Sequence, residues 1–140
     1  MVVEVVEQAS FSVVSALGDS RENGLRINTW IRDLLGRIDE KWGVLILGVL
    51  SEGKLRYSGL SRCIPGISQR MLTLSLRKLE RDGLIERTVI PSNRPQVEYA
   101  LTDVGLSLHR KLLVLMDWAV EHEDYIRHSR ALYDSSSKSG

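Results

Sequence analysis

Gln69, Arg70, Thr73 and Arg77 follow one another at steps of one, three and four, a spacing that gathers them along one side of a helix. Their chemistry is that of reading polar edges. An Arg guanidinium offers a planar fork of donors to guanine O6 and N7 or to phosphate, and Gln can pair bidentately with adenine. Ser68, just before them, can accept a hydrogen bond from a free N–H of the first turn, and together with the helix start it can hold a phosphate. Arg81 continues the basic side, and Leu74 is the one apolar residue near it, suited to a thymine methyl. Taken alone, such a stripe is also what a solvated helix face looks like. Its surroundings must decide.

The same segment has an apolar side. Leu72, Leu76 and Leu79 recur at steps of four and three, so the helix beginning at Ser68 has a core stripe opposite its basic one. Pro65 and Gly66 stop whatever precedes it, and Gly83 suits the position just past its end. Tyr57 to Ile64 reads as a short preceding helix that packs Leu60 and Ile64 inward and orients the reader. Leu84 to Ile90 is a β-rich run with one face wetter than the other, and Val97, Tyr99 and Leu101 alternate with Glu98 and Ala100 in a returning strand. Between them, residues 91–96 form a loop with Arg94 at its tip, where a minor-groove or phosphate contact and plain solvation are equally open. Turn, helix, strand, loop and strand in this order make a helix-turn-helix followed by a β-wing, which places one short helix where it can enter a major groove.

Around this unit stand further helices. Lys41 to Leu50 is apolar nearly all round and predicts a buried helix. Thr102 as N-cap and Asp103 in the first turn open a last helix. Its stripe of Leu108, Leu112, Leu115, Trp118 or Ala119, and His122 is longer than a domain this small needs for its own core. Ile27 to Ile38 adds a second amphipathic stretch through Trp30, Ile31, Leu34 and Leu35. Together the two read as a homodimer interface, since two half-sites about 34 Å apart need two reading helices related by a twofold axis, and packing of the two on one another within a protomer is the alternative, compatible in part with the first. The expected fold is therefore mainly α with a small β-hairpin (α+β), a winged helix-turn-helix, dimeric through its N- and C-terminal helices. Residues 1–24 form an N-terminal extension of unassigned role, 25–134 the winged domain with its dimerisation helices, and 135–140 a Ser-rich tail expected to be disordered.

Composition narrows the classes. The 140 residues suffice for one domain. The net charge is only +1, yet Gly53 to Lys111 holds eleven Lys and Arg against five acids, a surplus of six, while both flanks are acidic. Positive charge concentrated on the reading module is the footprint of phosphate contact. Val44 to Leu50 is soon closed by Ser51, Glu52 and Gly53, short of a membrane span. Glu4 and Glu7 break up the N-terminal valines and no basic region precedes them, which argues against a secretory signal and for a cytoplasmic protein. The single Cys63 cannot form a disulfide within the chain. Arg62 beside it would favour reactivity, whereas a free Cys usually behaves as a small buried hydrophobe, the reading preferred here. His109, His122 and His128, with Glu121, Glu123 and Asp124, lack the spacing of a metal site, because His122 and His128 point about 120° apart on a helix. No P-loop, dinucleotide fingerprint or nucleophile triad stands out, so neither an enzyme nor a cofactor is expected. A winged helix used for protein contact is the alternative, although Arg70, Arg77 and Arg81 leave little apolar anchor on the free face.

Particular stretches resemble the HxlR-type winged-helix transcriptional regulators, relatives of the MarR group. They are Lys41-Trp42, Pro65-Gly66-Ile67-Ser68 leading into Met71-Leu72-Thr73, Leu76 with Leu79-Glu80 and Asp82-Gly83-Leu84-Ile85, then Val97-Glu98-Tyr99 with Leu101-Thr102 and Gly105, and more weakly Trp118 and Tyr133-Asp134. The similarity runs roughly from Ile27 to Asp134. It implies a homodimer on an inverted-repeat operator in double-stranded DNA, repressing or activating a nearby transcription unit, often one serving redox or electrophile stress. The small-molecule or redox effector is not specified by it. Many members carry a sensing Cys near the start of the first shared helix, where this chain has Asn28. The residues expected at DNA are Ser68, Gln69, Arg70, Thr73, Arg77 and Arg94.

Overall fold

A computed structural model describes residues 29–138. The N-terminal extension, and Ile27 and Asn28 before the first helix, lie outside the described residues. The chain forms α1 (Thr29–Asp39), α2 (Lys41–Leu50), β1 (Leu55–Arg56), α3 (Tyr57–Cys63), α4 (Gln69–Arg81), β2 (Ile85–Ile90), β3 (Gln96–Leu101), α5 (Asp103–Glu121) and α6 (Glu123–Lys138). This is the winged helix-turn-helix expected from the sequence, with α3 and α4 as the helix pair and β2–β3 as the wing.

The core lies where α2, α3, α4 and the root of the wing meet. Ile46, Leu47 and Leu50 of α2, Leu60 of α3, Leu72, Leu76 and Leu79 of α4, and Leu84, Ile85 and Tyr99 of the wing are buried together. Each fully buried Leu or Ile contributes about 1.5–3 kcal/mol, so this cluster is the main force holding α4 in place. The helix α2 is less uniformly buried than its composition suggests. Leu45 is exposed, and Lys41 places its ammonium 4.3 Å from the Trp42 ring centre.

The sheet has three antiparallel strands in the order β1-β3-β2. The register runs from Ile85 opposite Leu101 to Ile90 opposite Gln96, and Leu55 and Arg56 pair with Tyr99 and Glu98 on the other edge of β3. The two-residue β1 carries no periodicity that a sequence pattern could catch. Beyond Ile85 the side chains of β2 from Glu86 to Val89 are all exposed. The wing projects past the core there, so the wetter-face alternation expected of it does not develop.

The end of α4 is built by a Schellman arrangement. Gly83 takes φ +72°, its N–H donates to Glu80 O at 3.0 Å, and the Leu84 N–H donates to Leu79 O at 3.0 Å, over the buried pair Leu79 and Leu84. The start of α5 locks onto this turn. Thr102 Oγ1 accepts from the Gly105 N–H at 3.0 Å and donates to Gly83 O at 2.6 Å, while its own N–H reaches Leu84 O at 3.1 Å. A Cβ on Gly105 would lie 1.9 Å from Leu84 O, so only glycine admits this approach.

Three expectations are corrected at the outer elements. The last helix is two helices, since the chain bends at His122 (φ −106°, ψ 10°), whose Nδ1 donates to Trp118 O at 2.8 Å and whose ring stacks on Trp118. The tail expected to be disordered from Ser135 is helical as far as Lys138, where Ser135, Ser136 and Ser137 donate their hydroxyls to the carbonyls of Ala131, Tyr133 and Asp134. Cys63 is exposed, not a buried hydrophobe. Leu60 and Ile64 take the inward side of α3, and Cys63 closes that helix where the chain turns away through Pro65 and Gly66. Among the described residues, no helix is long and apolar enough to cross a membrane.

Candidate nucleic-acid interface

The helix α4 starts where its cap predicts. Ser68 has extended backbone angles and its Oγ accepts from the Met71 N–H at 3.1 Å. The amides of Gln69 and Arg70 precede the first intrahelical hydrogen bonds and point out of the helix start, where an anion can accept from them. Leu72, Ser75, Leu76 and Leu79 face inward. On the opposite side Gln69, Arg70, Thr73, Leu74 and Arg77 line one open depression. Four of the six residues expected at DNA thus share a single concave surface. Ser68 sits at its N-terminal margin.

Arg94 lies on another element. It is exposed in the loop between β2 and β3. That loop is pinned by Ser92, whose hydroxyl donates to Arg94 O and accepts from the Arg94 N–H at 3.2 Å. Arg81 is also exposed, but it is one turn beyond the depression and does not line it.

Two ion pairs hold the far end of α4 to the scaffold. Arg37 Nε is 2.9 Å from Asp82 Oδ2, and Lys78 Nζ is 2.8 Å from Glu40 Oε1. By contrast, among the described residues Arg70, Arg77 and Arg94 enter no ion pair. Asp82 and Glu40 are thus paired at the far end of α4, while the two arginines of the depression carry no carboxylate partner among the described residues and leave their charge free toward an anion.

One participant has no sequence signal. Tyr57, the first residue of α3, sends its hydroxyl to Gln69 O at 2.9 Å and to Thr73 Oγ1 at 3.0 Å. It fastens the first turn of α4 from the neighbouring helix. The contact depends on how α3 and α4 cross, which spacing along the chain does not reveal.

The comparisons agree with this architecture. A model of the HxlR-like helix-turn-helix family matches residues 37–127. The chain is 45% identical over 87 residues to the HTH-type transcriptional regulator YtfH of Escherichia coli K12, covering 62% of this chain and 69% of that protein. It is 39% identical over 108 residues to the HTH-type transcriptional regulator YdeP of Bacillus subtilis, covering 77% and 84%. The solved structure of the transcriptional regulator ytfH from Salmonella typhimurium superposes with a TM-score of 0.63 at 36% identity, over 74% of this chain and 96% of that one.

Proposed function

This chain belongs to the HxlR-like helix-turn-helix family of transcriptional regulators, and from that premise we propose that it binds an inverted-repeat operator in double-stranded DNA as a homodimer in the cytoplasm. Each protomer inserts the N-terminal half of α4 into a major groove. Gln69, Arg70, Thr73 and Arg77 meet base edges or phosphates, Ser68 and the helix start meet a phosphate, and Arg94 on the wing reaches the flanking backbone or minor groove.

The observation that carries this reading is the depression itself. Four of its five lining residues are polar or cationic, with Leu74 the apolar fifth, it sits on a helix whose other side is fixed in the core, and its arginines have no carboxylate partner among the described residues. A side chain fixed at its base and free at its tip is what direct readout requires.

The homodimer rests on a different surface. The helices α1 and α6 have no buried residue, and α5 buries only Gly105 and Leu112. Trp30, Leu35, Leu113, Leu115, Met116 and Trp118 are exposed on these helices. Large apolar side chains exposed in that number on the outer helices favour an interaction surface, and a second copy is the occupant we propose, with twofold symmetry.

Fluorescence anisotropy against the protein's own upstream intergenic DNA and a scrambled duplex, over a salt series, tests the reading. Tighter binding to the upstream DNA, lost in an Arg70→Ala/Arg77→Ala variant, is the expected result. Equal, weak binding to both duplexes would overturn it and leave a protein-contact module as the better account.

A further inference from the structure

We propose that Tyr57 fixes the hydrogen-bonding polarity of Thr73 and makes it a one-way reader, an acceptor from the amino group of adenine or cytosine and not a donor to guanine or thymine. The inference rests on the reading of α4 as the recognition helix.

The available protons fix this polarity. A tyrosine hydroxyl has one. Gln69 O, 2.9 Å from Tyr57 Oη, is a carbonyl and can only accept, so the Tyr57 proton lies on that bond. Thr73 Oγ1 is 3.0 Å from the same Tyr57 Oη. That second bond also needs a proton, and Tyr57 has none left, so Thr73 supplies its own. The Thr73 hydroxyl therefore points its hydrogen back at α3.

What remains for the groove is a pair of lone pairs. Thr73, partly buried, lines the depression with Gln69, Arg70, Leu74 and Arg77, so this residue stands on the surface where base edges would lie. In the major groove, adenine N6 and cytosine N4 are donors, whereas guanine O6, thymine O4 and the N7 of both purines are acceptors, so the discrimination is made at the exocyclic amino or keto group. A threonine with a free rotor could serve either kind. With its proton committed it accepts from an amino base and turns lone pairs against a keto base. The function is complementary to its neighbours, because Arg70 and Arg77 can only donate. Thr73 supplies an acceptor-only oxygen on a face dominated by donors.

Tyr57 is thus a positioning residue that acts through Thr73. Its test is selection from a duplex library randomised across the binding site, with the bound fraction sequenced for the full chain and for Tyr57→Phe, Thr73→Ser and Thr73→Val. Thermal melts of each variant establish that the fold is retained. One position in each half-site should favour adenine or cytosine over guanine and thymine on the same strand by roughly fivefold or more, the worth of one hydrogen bond gained against one acceptor left facing another. Tyr57→Phe keeps the ring and frees the rotor, so that position alone should admit all four bases within about twofold. Thr73→Ser should retain the preference and Thr73→Val abolish it at the same position.

A Tyr57→Phe pool identical to that of the parent would overturn the proposal, as would a preference for guanine or thymine at the position that Thr73→Val erases. Loss of preference at every position in Tyr57→Phe would show a merely structural role and would also overturn it. If the parent protein enriches no sequence at all, the DNA-binding reading falls first, and the parent pool alone reveals that.

Discussion

Arg37 and Asp82 are 45 residues apart in sequence and 2.9 Å apart in space, with side chains only 12% and 22% exposed. Asp82 occupies the C-cap of α4, where the negative end of the helix disfavours a carboxylate. The guanidinium from α1 offsets both that repulsion and the cost of partial burial. Arg37→Ala should therefore lower stability by about 1–2 kcal/mol, measured by urea unfolding followed by circular dichroism. Adding Asp82→Asn to it should recover part of the loss. An Arg37→Ala protein as stable as its parent would remove the pair from any account of how α4 is held.

Ser68→Ala removes the acceptor that satisfies the Met71 N–H. The expected loss is about 1 kcal/mol of unfolding free energy, with the midpoint shifted in the same urea titration and the slope unchanged.

Arg70 and Arg77 distinguish base contact from phosphate contact. If either reads a guanine, its replacement by Ala should cost roughly 1–3 kcal/mol on the preferred duplex and relax the preference at one base pair. If it meets a phosphate, binding should weaken equally on all sequences, and the slope of log affinity against log salt should fall by about one. Anisotropy over a salt series with base-substituted duplexes separates the two.

Two glycines predict opposite outcomes. Gly105→Ala sets a Cβ 1.9 Å from the Leu84 carbonyl oxygen, backbone against backbone, and should lower the melting temperature by roughly 10 °C or more. Gly36→Ala places its methyl in the α1 interior with nothing within 4 Å, and should stabilise by about 0.5–1 kcal/mol. Melts of the two variants side by side check the pair.

The proposed dimer face is tested by charge. Leu115 and Trp118 are each more than half exposed in one protomer, so Leu115→Glu with Trp118→Glu should leave the protomer folded. Light scattering should then report the 15.8 kDa of a single chain in place of twice that mass, and affinity for an inverted repeat should drop toward that for a half-site.

The reading helix was legible because it obeys two local rules at once: Ser68 caps it, and Leu72, Leu76 and Leu79 give it a 3.6-residue period. The wing was legible from Val97, Tyr99 and Leu101. The elements that escaped are those defined by partners far along the chain. Leu55 and Arg56 become a strand only by lying against Tyr99 and Glu98, and Tyr57 joins the site only through the crossing of α3 and α4. The break at His122 was hidden because the apolar spacing continues across it. The helical serines were hidden because serine is no strong helix former and a serine-rich composition points to solvated chain. Cys63 was misread because burial at the end of a short helix depends on what the following turn covers.

The hydroxyl and amide of Thr102 bind Gly83, Leu84 and Gly105 at one point, and this makes the recognition helix and the long helix α5 parts of one lever. The 19 residues of α5 extend about 28 Å at 1.5 Å per residue. A rotation of about five degrees at its far end, where the proposed partner packs, translates into a displacement of roughly 2.5 Å along an arm of that length. That is a large fraction of the rise between neighbouring base pairs. In the proposed dimer, the angle at which two protomers meet would then be transmitted to the distance between their reading helices, and half-site spacing would be set far from any residue that touches a base.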